Sequence, residues 1–259
     1  MTAVHDFGGN GPTLVMAHAA GLHGLVLAPL ARELAGRLHC VSFDHRGHGD
    51  TPLPPGEALD WYGLAADVLA VVDRLGLERP YGFGHSSGGT AVLMAEQARP
   101  GTFAALYCYE PVLVAADPPL GPDRGSWLAE QARLRRPTFT SREEALRHFS
   151  ARPPFHALDP QVLRAYVDHG VGDDGRLKCR PEDEAAVYET ATAHDAYLRL
   201  PDVACPVIVA CGSATEARPP ADVAARLREG RFEILDGLGH LGPLELPARV
   251  ASSILCSLP

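Results

Sequence analysis

Short apolar runs alternate with amphipathic stretches along the first third of the chain. Residues 13–19 (TLVMAHA), 39–45 (HCVSFDH), 81–86 (YGFGHS) and 103–113 (FAALYCYEPVL) are apolar runs bounded by breakers. That is the pattern of strands buried on both faces. Between them, residues 24–36 carry leucines at helical spacing (Leu27, Leu30, Leu34). Residues 61–75 repeat apolar positions at three and four (Leu64, Val68, Val71, Val72, Leu75), with Asp60 as the N-cap, and residues 88–98 continue as a helix. The segment RGHGDTPLPPG reads as a loop. Strands separated by helices imply βαβ units and a parallel sheet.

The rhythm breaks after about residue 116. Up to residue 200 no buried strand pattern appears, only proline-rich punctuation and helical stretches at 126–136, 142–149, 160–169 and 181–193. A structureless connection of that length is uncommon in a compact domain, so the segment reads as a helical insertion. Alternation then resumes with a strand at 205–212, a helix at 220–228, a strand at 231–237 and a last helix from about Leu246. The expected organisation is an α/β core of residues 1–115 and 201–259, interrupted by a helical cap at 116–200. No internal repeat is visible.

Composition narrows the function classes. The 259 residues are 46% hydrophobic and 21% charged, ordinary for a globular chain with ample core. A net charge of −9 argues against a nucleic-acid partner, since phosphate binding needs clustered cations. No apolar run reaches the ~18 residues of a membrane span, and the N-terminal MTAVHDFGGNGP lacks the layout of a signal peptide. The expectation is a cytoplasmic protein with a small-molecule substrate. Six cysteines without C-x-x-C spacing read as reduced, mostly buried thiols. Twelve histidines without H-E-x-x-H give no metal signature, and no cofactor is implied.

The candidate chemistry centres on Gly84-His85-Ser86-Ser87-Gly88, a G-x-S-x-G between a strand and a helix. A turn this sharp strains the serine backbone, and a Cβ at either flanking position would collide with neighbouring backbone. It lifts the Ser86 Oγ above the sheet and brings the Ser87 N–H to the site of a developing oxyanion. Around this elbow stand a histidine turn (His18-Ala19-Ala20-Gly21), a D-x-R-G-H-G loop (Asp44, Arg46, Gly47, His48, Gly49), and a late G-x-G-H (Gly237 to His240) followed by P-x-E-x-P. On these motifs, in this order, nearly the whole chain resembles the α/β-hydrolase superfamily. The form it resembles has a mostly parallel, doubly wound sheet and a helical cap inserted after the sixth strand.

The resemblance implies a catalytic triad in the order nucleophile, acid, histidine. Ser86 is the implied nucleophile, which excludes relatives that use aspartate there, and His240 is the implied base. The acid departs from the usual pattern. Where most members carry aspartate after the seventh strand, as G-x-x-D, this chain reads Gly212-Ser213-Ala214-Thr215-Glu216. Threonine cannot supply the charge that stabilises an imidazolium. Glu110, ending the sixth strand in YEP, is the first candidate, because a subset of the superfamily places its glutamate there. Glu216, Asp236, Asp195, or no carboxylate at all, are the alternatives. The oxyanion donors map to the backbone N–H groups of Ala20 and Ser87, each worth roughly 3–4 kcal/mol in such hydrolases. The Ser87 side chain is expected to point into the helix start.

Other residues in these motifs read as structural. Asp44 and Arg46 hold their loop, His18 orders the oxyanion turn, His85 packs at the elbow and Cys211 lies in the core. His23 and His45 border the cleft. Trp127, Phe139, Phe155, Tyr166 and Tyr188 pack the cap on the core. The sequence thus points to a serine hydrolase cleaving a small carboxylic ester through an acyl-enzyme. A C–C bond hydrolase, lactonase or thioesterase would use the same triad. A binding protein or cyclase with this fold is the rival from another class.

Overall fold

The computed structural model describes residues 1–115, 127–215, 219 and 222–258. Val4–Gly9 (β1), Thr13–Ala17 (β2), His39–Phe43 (β3), Tyr81–His85 (β4), Ala105–Tyr109 (β5), Val207–Gly212 (β6) and Gly230–Leu235 (β7) pair into one sheet. Their order is β1-β3-β2-β4-β5-β6-β7, parallel throughout except for β1, which runs antiparallel along β3. Four of the interior strands are wholly apolar or nearly so because helices cover both faces. This is the α/β-hydrolase arrangement.

Alternate residues of β2 show how the two layers form. Leu14 and Met16 face the layer that holds Ala28–Leu34 (α1) and Pro247–Ser257 (α10), packing with Leu27, Leu30, Leu34, Val250 and Ile254. Val15 and Ala17 face Trp61–Arg74 (α2) and Ser87–Ala98 (α3), packing with Leu64, Val68, Val71 and Val72. Asp60 caps α2 by accepting from the Gly63 N–H at 2.7 Å. Gly242–Glu245 (α9) precedes α10, and Val223–Arg226 (α8) joins β6 to β7.

Between β5 and β6 the described residues form four α-helices: Trp127–Arg133 (α4), Arg142–Ser150 (α5), Pro160–Gly170 (α6) and Pro181–Glu189 (α7). Ser141 caps α5 and Asp159 caps α6 with side-chain hydrogen bonds. Phe139, Phe149, Phe155 and Tyr166 stack among them with neighbouring ring centroids 4.7–5.4 Å apart, while Trp127 is exposed. Among the described residues no helix is long and apolar enough to cross a membrane. The thiols of Cys40, Cys108, Cys179, Cys205 and Cys211 are buried and that of Cys256 is exposed.

Several sequence expectations shift in detail. The strand carrying Glu110 at its end is fifth in chain order and stops at Tyr109, because Glu110 turns away with φ 46°. The helix expected at 181–193 ends at Glu189, and of the one expected at 220–228 the described residues form a helix at Val223–Arg226, with 220 and 221 outside the described residues. β1 was not anticipated: VHDFGG is half-exposed, lacks alternation and carries a bulge between Asp6 and Gly8. Among the described residues three non-glycine residues adopt positive φ, namely Arg79, Ser86 and Glu110.

The D-x-R-G-H-G loop is held by charge. Asp44 accepts from the Gly24 and Asp50 N–H groups and from His5, while Arg46 forks onto Asp67 and reaches Glu57. Asp67 also accepts from the Arg46 N–H at 2.9 Å. Burial alone would raise the Asp67 carboxyl, but the imidazole of His45 and the fork of Arg46 bring it down to about 2. A carboxyl lowered in the folded state adds stability above its unfolded value near 3.9, and that contribution disappears as pH falls through the folded value. Asp67→Asn should therefore be less stable than wild type by about 2 kcal/mol at neutral pH. Urea denaturation should show this gap closing between about pH 4 and about pH 2. A gap that persists in acid would refute the assignment.

Candidate active site

Ser86 follows β4 and immediately precedes α3, with φ 54° and ψ −118°. That left-handed backbone costs a non-glycine residue of order 1–3 kcal/mol and persists only where the surroundings enforce it. Here the glycines enforce it. A Cβ on Gly84 would lie 2.4 Å from the Gly88 carbonyl oxygen, and one on Gly88 would lie 2.4 Å from the Ala17 carbonyl oxygen. The Ser86 N–H donates to the Tyr109 carbonyl at 2.9 Å, tying the elbow to the neighbouring strand.

His240 lies on the loop between β7 and α9, and its side chain keeps partial access to solvent. Its Nδ1 lies 2.6 Å from Glu110 Oε2, so the ring donates there and leaves Nε2 as the acceptor. Two contacts fix the loop's backbone. The Tyr109 hydroxyl donates to the Gly239 carbonyl at 2.8 Å, and His85 Nε2–H donates to the His240 carbonyl at 2.8 Å. Burial and the proximity of His240 push His85 down to about 3, so it stays neutral. His85 thus does more than pack: it clips the histidine loop to the elbow.

The Glu110 side chain is fully buried and its carboxylate collects three donors. Oε1 accepts from the Gly212 N–H at 2.8 Å. Oε2 accepts from the Thr215 hydroxyl at 2.9 Å as well as from His240. All three partners are donors, as an acceptor-only carboxylate requires. Thr215, in the slot where an aspartate was expected, therefore donates to a carboxylate that arrives from the adjacent strand. The alternatives lie elsewhere. Asp236 is exposed and accepts from Ser213, Asp195 is held by the Tyr62 hydroxyl, and Glu216 falls outside the described residues.

The turn after β2 is fully engaged. His18 Nδ1–H donates to the Ala19 carbonyl at 2.8 Å, and its Nε2 accepts from the His45 N–H at 3.0 Å. Burial and the neighbouring His45 and His48 hold His18 well below the ordinary histidine range. The Gly21 N–H donates to His48 Nε2 at 3.1 Å, and the Leu22 N–H to the Ala19 carbonyl at 3.2 Å. The Ala20 N–H donates to Ser87 Oγ at 2.8 Å. The Ser87 side chain consequently faces the oxyanion turn, contrary to the expectation that it points into the helix start.

The cap meets this turn through charge that sequence patterning did not flag. Arg135 bonds Glu184 and the Tyr166 hydroxyl, and Tyr188 donates to Glu184 at 3.2 Å. The Glu184 carboxylate covers Gly21, where an added Cβ would lie 2.4 Å from Oε1. The available signal was two successive acids, Asp183 and Glu184, both buried on α7. His23 stacks parallel to Tyr166 with ring centroids 6.1 Å apart, and burial takes it down to about 4. Only about 10 Å³ of cavity remains among Gly21, His23, Tyr166 and Cys179. A larger groove of about 820 Å³, between α1, α5 and α6, includes none of the residues around Ser86. His45 lies beneath the turn, 4.9 Å from the His18 ring.

The alpha/beta hydrolase family model matches residues 14–253. The chain is 31% identical over 216 residues to the non-heme chloroperoxidase of Streptomyces lividans, covering 77% of this chain and 74% of that protein. It is 32% identical over 107 residues to human monoglyceride lipase, covering 39% of this chain and 35% of the lipase. The match thus spans about a third of the lipase's length. The structure of E-2-(acetamidomethylene)succinate hydrolase superposes with a TM-score of 0.83 at 18% identity, over 98% of this chain and 93% of that one. At that identity the likeness shows the fold alone.

The Glu110–His240 contact is open to a test that needs no substrate. Wild-type protein should give a low-field imidazole N–H resonance in its proton spectrum, lost in His240→Ala. Glu110→Gln removes the charge that holds this proton and should move the resonance upfield, while Thr215→Val leaves it in place. A resonance unchanged in Glu110→Gln would rule the pair out.

Proposed function

The chain belongs to the alpha/beta hydrolase family, and on that footing we propose that it is a serine hydrolase that cleaves a small carboxylic ester through an acyl-enzyme. The observation carrying this reading is the 2.6 Å contact between His240 Nδ1 and a fully buried Glu110, beside a serine held in strained backbone. A serine hydroxyl is a weak nucleophile without a base to take its proton, and a base is effective only when oriented.

In the proposed reaction Ser86 Oγ attacks the ester carbonyl carbon as His240 Nε2 takes its proton. Glu110 holds the ring in the tautomer that leaves Nε2 unprotonated, then stabilises the imidazolium that forms. The carbonyl electron pair moves onto oxygen near the N-terminus of α3, where the Ser87 N–H is one of the unpaired donors of the first helical turn. Collapse of the tetrahedral species expels the alcohol, which receives the proton from His240. Water, activated by the same imidazole, then releases the acid and restores Ser86. This chemistry calls for no cofactor.

Threonine in the expected acid slot is the feature that would favour a non-hydrolytic binder. With Thr215 donating to Glu110, and Glu110 against His240, that feature argues for a working base.

A fluorophosphonate probe should label the wild-type protein and fail to label Ser86→Ala. Glu110→Gln should lower kcat for a p-nitrophenyl ester on the order of 10³–10⁴-fold, as expected for loss of the charge that orients the base. Wild-type protein that takes no label and turns over no ester would sink the proposal. Retention of activity within about tenfold in Glu110→Gln would remove Glu110 from it.

A further inference from the structure

Every backbone N–H from Ala20 to Leu22, the turn facing Ser86, already has an acceptor within the protein. Gly21 is bound to His48, Leu22 to the Ala19 carbonyl and Ala20 to Ser87 Oγ. The two bonds of His18 lock the turn from beneath, so its amides are not free to swing. Direct donation from Ala20 to a substrate oxygen would first require breaking a 2.8 Å bond in a place where Ser87 is almost wholly buried. While that bond stands, the Ala20 N–H is committed to Ser87 Oγ.

The Ser87 hydroxyl is differently placed. A hydroxyl carries one donor and two acceptor sites, and among the hydrogen bonds of the described residues this one acts as acceptor. Its proton is therefore left to give. An oxygen that accepts from an amide also becomes a stronger donor, because successive hydrogen bonds polarise one another. Ser87 is the first residue of the twelve-residue helix α3, so its N–H and the positive end of the helix act at the same spot.

Resting on the serine-hydrolase reading above, we propose that the Ser87 side chain is itself an oxyanion donor, taking the Ala20 N–H as acceptor and giving its own O–H to the developing oxyanion beside the Ser87 N–H. The bond changes remain those of acylation. The Ser86 Oγ–carbon bond forms, the carbonyl pair moves onto oxygen and the Ser86 proton goes to His240. Ser87 keeps its proton throughout and contributes a hydrogen bond that strengthens as charge develops. Ala20 acts through Ser87 and is a positioning residue in this scheme.

The test compares wild type, Ser86→Ala and Ser87→Ala, with thermal melts verifying that each is folded. Ser87→Ala should lower kcat for a p-nitrophenyl ester on the order of 10²-fold with little change in KM, since the bond is made in the transition state. Its affinity for an aryl boronic acid, which forms a tetrahedral anion on Ser86, should fall in parallel. Ser87→Cys, keeping a weak donor in place, should lie between the two. A Ser87→Ala enzyme that is fluorophosphonate-labelled and as fast as wild type, or faster, would overturn the proposal. The hydroxyl would then merely cover the Ala20 N–H at rest. A wild type that is neither labelled nor active would instead overturn the serine-hydrolase reading, and this assignment with it.

Discussion

The buried carboxylate of Glu110 is the constraint around which the rest of the site is arranged. A carboxylate taken out of water is costly unless nearly all its lone pairs are met. Meeting them draws three separate pieces of chain to one point: the end of β6 through Gly212, the loop beyond it through Thr215, and the β7–α9 loop through His240. Each donor that satisfies the charge is also a positional restraint on the segment that carries it. The stabilisation of the acid and the placement of the histidine are one event.

Four buried histidines follow a different logic. His18, His23, His45 and His85 are buried, and burial keeps them neutral rather than poised to titrate. A neutral imidazole offers one donor and one acceptor, which suits it to bracing irregular backbone that has no ladder partner. His18 bridges its own turn to the loop beneath, and His85 reaches from the elbow to the carbonyl of the histidine that works beside it. These four histidines scaffold loops, whereas His240 keeps partial solvent access and holds a fully buried carboxylate on its ring.

Much of this was legible in the chain. The apolar runs gave β2 to β6 because strands covered on both faces must be apolar, and the glycine-bracketed Ser86 declared its turn through steric need. Glu110 was legible as a charge at the end of a buried strand, a position that a carboxylate occupies only with partners waiting. Side-chain direction was not. Whether Ser87 points into α3 or toward Ala20 is a rotamer choice decided by a turn sixty-seven residues away. The donation from Thr215 depends equally on the register between β5 and β6, which places Gly212 and Thr215 beside Glu110. The Arg135–Glu184 pair was hidden because long-range charge pairing has no period. β1 escaped because a half-exposed edge strand need not alternate.

The strained backbone is distributed unevenly, and that bears on how this scaffold tolerates redesign. Of the three non-glycine residues at positive φ among the described residues, Ser86 and Glu110 follow adjacent strands and carry the proposed chemistry, whereas Arg79 sits exposed on the approach to β4. Effort spent relaxing the first two would exchange rigidity for lost geometry. Glycine or asparagine at position 79 instead removes conformational stress where nothing is catalysed. The fold thereby separates the strain it uses from the strain it merely carries, and leaves the second kind open to an engineer.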